Sequence, residues 1–226
     1  MLGRMEIGVL GATGPAGRGL AVRLAAAGHD VLAGSRDRSR AEGIVEELRG
    51  RWGERVATLR AVTNAEAADA ADLVVVATNW EAALETTGAH AAALDHKVVI
   101  AMANGLQKVG REFRAVLPEE GSLAQAMQAL APNARVVAAF QHVPADALGD
   151  LDEPLESDVI VCADDDDARR EVLALVASLP NLRALDGGSL ANANGIEAFA
   201  AVLLSVNIRH RGKGTLRLLG VDSWAP

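Results

Sequence analysis

The sequence predicts an α/β fold: a Rossmann-type, doubly wound, mostly parallel sheet with a small C-terminal α/β annex. Three observations predict it. The apolar run Ile7–Leu10 leads into a glycine-rich turn, and the turn leads into a stretch with helical spacing. Further apolar runs of strand length begin near Asp30, Asp72, Lys97 and Arg135 and alternate with helix-forming segments. The chain has 226 residues and is 50% hydrophobic, enough to bury one sizeable core with an annex. The division is expected at residue 145, giving units 1–145 and 146–226.

The first turn carries Gly11, Gly14 and Gly17, read as G-x-x-G-x-x-G, and aligning it as G-x-G-x-x-G puts Ala12 at the first position. Such glycines let the backbone pass close to a pyrophosphate, and the helix start offers unpaired N–H groups and the positive end of its dipole. Pro15 fits the first turn of that helix, where its missing N–H costs little. A plain tight βα turn has the same composition, so the second strand carries more weight. It runs from Asp30 and ends at Gly34-Ser35-Arg36, where NAD enzymes usually place an Asp or Glu. A small hydroxyl and a guanidinium, with Arg38 and Arg40 following, suit a 2′-phosphate and predict NADP(H). A solvated basic loop opening a surface helix is the alternative. Asp37 opposes a phosphate unless it turns away to cap the next helix.

The remaining elements follow in order. Residues 39–51 read as a polar helix with Ile44, Val45 and Leu48 on one side. Residues 56–62 form the third strand, and 64–68 a short helix. Asp72–Ala77 is the clearest central strand, β-branched and continuous. It ends in Thr78-Asn79-Trp80, at a carboxyl edge where such sheets bind ligands. Trp80 there either borders the nicotinamide half of a dinucleotide or staples the following helix. Residues 97–102 are a strand ending at Asn104-Gly105, and 107–121 read as a partly irregular excursion near the site. Residues 122–130 form a helix, and 135–140 a strand ending in Gln141-His142-Val143-Pro144-Ala145. His142 has no orienting carboxylate at recognisable spacing, so it reads as a ring-orienting hydrogen-bonding residue rather than a general acid. In the annex, 158–162 and 182–186 are strands and 171–179 is amphipathic. Asp164–Asp167 resembles a metal cluster, but consecutive carboxylates at a helix start are explained by the helix dipole, and no metal is expected. Residues 189–210 form a long apolar helix, which suggests a packing partner such as a second copy of the chain, in a homodimer.

Composition excludes several classes. There is no tyrosine, so the usual short-chain dehydrogenase chemistry is unavailable despite the Gly-Ala-Thr-Gly turn. The net charge is −8, with no basic stripe for nucleic acid. No apolar stretch reads as long enough to cross a bilayer, and the N-terminus has no signal-peptide pattern. The single Cys162 allows no intrachain disulfide and no multi-cysteine metal site, and its apolar neighbours predict a buried strand position. Together these features predict a cytoplasmic protein.

The ordered motifs resemble one family over nearly the whole chain: the NADPH-dependent reductases of the deazaflavin coenzyme F420. They comprise the Gly-x-Thr-Gly-x-x-Gly turn, Gly34-Ser35-Arg36, Trp80, Val143-Pro144-Ala145 and Val161–Asp166. Leu185-Asp186-Gly187 and the tail Gly212-Lys213-Gly214-Thr215-Leu216 complete the set. The resemblance implies hydride exchange between NADP(H) and F420, two rings held face to face with no protein nucleophile. Residues 1–145 become the NADP-binding part, and 146–226 complete the deazaflavin cleft. By position, Thr13, Ser35, Arg36 and Arg40 match family residues around the 2′-phosphate, and Pro15 and Ala16 match the pyrophosphate turn with Gly11, Gly14 and Gly17. Thr78, Asn79, Trp80 and Ala145 match the nicotinamide side. Gln141 stands where the family often has a deazaflavin-facing histidine, with His142 beside it, and Leu216 matches a tail residue whose backbone meets the deazaflavin. Ala12 and Gln141 depart from the family pattern. An NADP-linked reductase of another small acceptor, or an NADP(H) sensor without turnover, is the alternative.

Overall fold

The computed structural model describes residues 3–225. The first half of the chain alternates strand and helix: β1 (Glu6–Leu10), α1 (Pro15–Ala26), β2 (Asp30–Ser35), α2 (Arg38–Trp52), β3 (Leu59–Thr63), α3 (Asn64–Ala70), β4 (Leu73–Val76), α4 (Trp80–Ala89) and β5 (Val98–Ala101). A two-stranded hairpin, β6 (Leu106–Val109) and β7 (Glu112–Ala115), comes next. Then follow α5 (Leu123–Leu130), β8 (Arg135–Ala138), α6 (Ala145–Leu148), β9 (Ser157–Ala163), α7 (Asp166–Ser178), β10 (Leu182–Asp186) and α8 (Ala193–His210).

Eight strands form one sheet in the order β10-β9-β8-β5-β4-β1-β2-β3, parallel at every junction except β8–β9. The chain builds outward from β1 through β2 to β3, then returns past β1 to lay down β4 and β5. The strand order therefore reverses between β1 and β4, and the crevice at their carboxyl ends is where open α/β sheets take ligands. β4 and β5 are buried along their whole length, which is why they read as unbroken apolar runs. Successive side chains point to opposite faces. Ile7, Val9, Val75 and Ile100 meet α1, α2 and α7 through Leu20, Leu48 and Val172. Leu10, Val74, Val76 and Val99 meet α3, α4 and α5 through Ala67, Ala83 and Met127. β9 and β10 extend the same sheet, with β9 joined to β8 at Val137–Ala163 and Ala138–Cys162.

The caps follow the sequence. Asp37 turns its carboxylate to the Ser39 N–H at 2.9 Å, starting α2 and holding its acid below the usual range. Asp165 accepts from the Ala168 N–H at 2.7 Å, while Asp166 and Asp167 pair with Arg169 and Arg170. The acidic run is thus a helix start, and no cluster suited to a metal ion exists among the described residues. Cys162 is buried in β9, and burial pushes its thiol up to about 11.

One expectation is borne out in part and one is corrected. Residues 107–121 are irregular only over 116–121, and residues 107–115 lie in the β6–β7 hairpin, held to α8 by the Phe113 N–H donating to Ser205 Oγ at 2.8 Å. The strands are only four residues long, too short to show a period. The segment Leu190–His210, with mean hydropathy 1.2, is long and apolar enough by length and composition to cross a membrane. Glu197 and Ser205 nevertheless bond α8 to the rest of the fold. The buried Glu197 carboxylate accepts from the Leu123 and Ala124 N–H groups at 2.8 and 3.2 Å, capping α5. Burial pushes Glu197 up to about 7.

The C-terminal tail is tied down by an ion pair. The fully buried Asp158 carboxylate receives both arms of the Arg183 fork at 2.6 and 2.7 Å and the Leu218 N–H at 2.6 Å. Burial alone would raise the Asp158 acid, but these donors outweigh it and hold it below its usual value. Arg183 also donates to the carbonyls of Leu218 and Val221, which straps residues 218–221 against β10.

Candidate functional site

The site begins at the turn after β1. Gly11 has φ +84, and a Cβ there would lie 2.7 Å from Thr78 Cγ2, so only glycine fits between the two strand ends. Asn64 steadies the turn by accepting the Gly11 N–H at 3.2 Å. Ala12 donates its N–H to the Gly34 carbonyl at 2.9 Å, and its methyl is buried in the core, so it leaves the ligand face of the turn unchanged. Gly14 is the N-cap of α1 and Pro15 its first residue. The N–H groups of Ala16 and of the buried Gly17 have no acceptor within the helix by its geometry.

An outer cavity of about 460 Å³ opens beyond this turn. It brings together Gly11, Thr13, Gly14, Ser35, Arg36, Arg40, Thr78 and Asn79. Arg38 points elsewhere and pairs with Glu66. Arg36 and Arg40 form no ion pair among the described residues. Two guanidinia without an ion pair therefore line a cavity at the end of β2, and the carboxylate that lines it with them, Asp37, is engaged as a helix cap. This donor set fits a dinucleotide carrying a 2′-phosphate.

A second, inner cavity of about 220 Å³ reaches the α1 N-terminus at Ala16. Ala16, Gln141, His142 and Ala145 line it together with Met102, Asn104 and Leu203. Its position depends on how closely α6 approaches α1. A Cβ on Gly19 would sit 2.8 Å from the Ala145 carbonyl, and Arg23 clasps the carbonyls of Ala147 and Asp150 at 2.7 and 2.6 Å. His142 Nε2 bonds the Asp158 carbonyl at 2.8 Å, and burial lowers its pKa, so the ring is neutral and held in place.

Four predicted residues stand apart from both cavities. Gly17 is buried behind the turn, where a Cβ would lie 2.6 Å from the Gly11 carbonyl oxygen. Pro15 lines a third cleft with Arg18 and Lys213. Trp80 opens α4, half-buried against the core beneath it. Leu216 lies along β9, where its carbonyl accepts the Asp158 N–H at 2.8 Å. Sequence reasoning missed Asn64 and Asn104. Asn104 had a signal, since it ends the run of β5 at a carboxyl edge. Asn64 had none, because its partner Gly11 lies 53 positions away.

Residues 6–105 match a family model described as NADP oxidoreductase, coenzyme F420-dependent. The F420-dependent NADP reductase of Methanocaldococcus jannaschii is 33% identical over 215 residues, spanning 93% of this chain and 96% of that protein. The chain belongs to the F420-dependent NADP reductase family. The reductase of that name from Methanothermobacter marburgensis is also 33% identical, over 92% of this chain and 94% of its own. Among solved structures, a putative F420-dependent NADP reductase from Arthrobacter sp. FB24 superposes with a TM-score of 0.75 at 30% identity, covering 91% of this chain and 93% of that one.

Proposed function

We propose that this protein transfers a hydride between NADP(H) and the deazaflavin coenzyme F420 by direct ring-to-ring contact. The observation that carries the reading is the pair of guanidinia without an ion pair, Arg36 and Arg40, lining the outer cavity, while a second cavity reaches the α1 N-terminus at Ala16. The turn residues Gly11, Gly14, Pro15, Ala16 and Gly17 border the pyrophosphate, and the N–H groups of Ala16 and Gly17, which have no acceptor within the helix, donate to it. Thr13, Ser35, Arg36 and Arg40 hold the 2′-phosphate. Thr78, Asn79 and Ala145 border the nicotinamide, and Gln141 and His142 border the deazaflavin, while Trp80 and Leu216, which line neither cavity, brace α4 and β9 beside them. When both are bound, the nicotinamide C4 and the deazaflavin C5 exchange the hydride. The chain supplies position and dryness: Met102, Phe140 and Leu203 wall the inner cavity and exclude water. The neutral, tethered His142 fits this chemistry, which needs no protein nucleophile.

In this reading residues 1–145 bind NADP(H) and 146–226 complete the deazaflavin cleft. The protein works in the cytoplasm as a homodimer, whose interface covers Phe199, Val202 and Val206 on α8, exposed by 36%, 56% and 45%. The bonds of Glu197 and Ser205 favour α8 as an interface helix over a membrane span. Mixing protein, NADPH and oxidised F420 and following deazaflavin absorbance tests the function, and protein-dependent bleaching is expected. NADPH binding without bleaching would refute it and favour another acceptor or a sensing role.

A further inference from the structure

The inner cavity lies between the chain after β5, the chain after β8, and the middle of α8. Its walls are largely apolar, yet three of its lining residues carry four buried polar atoms with no hydrogen-bond partner among the described residues: Asn104 Oδ1, Gln141 Oε1, Gln141 Nε2 and His142 Nδ1. Gln141 is 95% buried, being 5% exposed. Orphan atoms of this kind are rare in folded proteins, because each costs free energy until a partner arrives.

Their roles are set by what the same side chains already do. Asn104 Nδ2 donates to the Gln141 carbonyl at 2.6 Å, which commits the amide's donor end and leaves Oδ1 to accept. His142 Nε2 meets the Asp158 carbonyl at 2.8 Å, and a carbonyl only accepts, so the ring proton sits on Nε2. Nδ1 is then a bare acceptor. The Gln141 amide is uncommitted at both ends, and it gives up no bond when it rotates toward an occupant. Asn207, the other amide at this cavity, is spent on Gly214, with bonds of 2.6 and 3.0 Å. The free inventory is three acceptors and one donor.

We propose that Asn104, Gln141 and His142 form a recognition shelf for a lactam or imide edge, an N–H beside a carbonyl, and that Asn104 is a specificity-determining residue. An N–H on the occupant meets the acceptor-rich side of the shelf, and its carbonyl takes the Gln141 donor. This rests on the hydride-transfer reading, in which the occupant is a deazaflavin whose pyrimidinedione ring carries such an edge. Asn104 acts twice, accepting from the edge and fixing the backbone that carries Gln141.

The test compares 5-deazariboflavin with its N3-methyl derivative, which lacks the N–H donor. Each is titrated calorimetrically into the NADP⁺-loaded protein, and each is assayed for reduction by NADPH. The wild type is expected to prefer the parent ring by roughly tenfold. Asn104→Ala is expected to lose most of that preference, because the N–H loses an acceptor, while Gln141→Leu, which removes the donor to the carbonyl, is expected to weaken both rings alike by severalfold and to keep NADPH affinity within about twofold. Gln141→Leu replaces the amide with an apolar side chain of comparable volume and secures the test if Asn104→Ala folds poorly. Equal binding of the two rings by the wild type, an undiminished preference in a folded Asn104→Ala, or unweakened binding of both rings by Gln141→Leu overturns the shelf while leaving hydride transfer standing. Failure to bind or reduce either ring overturns the hydride-transfer reading and the shelf with it.

Discussion

Replacing Arg36 by alanine removes one of two guanidinia that face the outer cavity without a carboxylate partner. A charge-assisted hydrogen bond to phosphate contributes about 1.5–3 kcal/mol. NADPH carries the phosphate and NADH does not, so the loss falls on NADPH alone. At about 1.4 kcal/mol per tenfold change, the ratio of KM for NADPH to KM for NADH rises roughly 10- to 150-fold. The lower part of that range is expected, because Arg36 is exposed and Arg40 remains nearby. The assay is steady-state deazaflavin reduction with each nucleotide, repeated at low and high salt. The NADPH effect shrinks with salt, and kcat changes little. Arg38→Ala is the control, because Arg38 pairs with Glu66, and its nucleotide preference stays near wild type. Equal KM changes for both nucleotides in Arg36→Ala, or a larger shift in Arg38→Ala, would refute the phosphate assignment.

Three further outcomes are expected. Gly11→Ala forces a Cβ into a left-handed residue 2.7 Å from Thr78 Cγ2, so it destabilises the fold by at least about 1–2 kcal/mol and abolishes NADPH binding; urea unfolding and nucleotide titration check both, and a stable variant that binds normally contradicts the turn geometry. Glu197 has a folded pKa of about 7 against an ordinary 4.5, so its contribution favours the folded state below pH 4.5 and is lost as pH rises through 7, a swing of about 3 kcal/mol. Glu197→Gln flattens that dependence, and an unchanged stability difference between pH 5 and pH 8 counts against it. Arg183→Met leaves the buried Asp158 charge without its fork, costs about 3–5 kcal/mol, and makes the chain near Leu218 cleavable by protease; a tail as resistant as wild type contradicts its role as the strap.

The parts of the fold legible in the sequence are those set by local chemistry. The caps at Asp37 and Asp165 depend on residues within one helical turn of each other, and the glycines of the turn after β1 and the end of β2 at Ser35 show in the local composition. The central strands were legible because a sheet covered on both faces demands unbroken apolar runs. What escaped depends on distant partners. The β6–β7 hairpin is stabilised by α8, with Phe113 bonded to Ser205 across 92 positions. The buried charge of Asp158 pairs with Arg183 across 25 positions and with the Leu218 N–H across 60, and no spacing rule announces it. At the site, the arginines were legible by where β2 ends, although separating Arg36 and Arg40 from Arg38 required seeing Glu66. The unpartnered Oδ1 of Asn104 and the unpartnered amide of Gln141 leave no trace in periodicity or charge, since their character lies in what fails to approach them.

The most direct test of the central claim follows the hydrogen itself. NADPH deuterated at C4, on one face and then on the other, is incubated with oxidised F420 and the protein in ordinary water. Rings held face to face predict deuterium at the deazaflavin C5 from one face only, with none lost to solvent. Label lost to water, taken from both faces, or absent from the deazaflavin would contradict direct transfer across the two cavities.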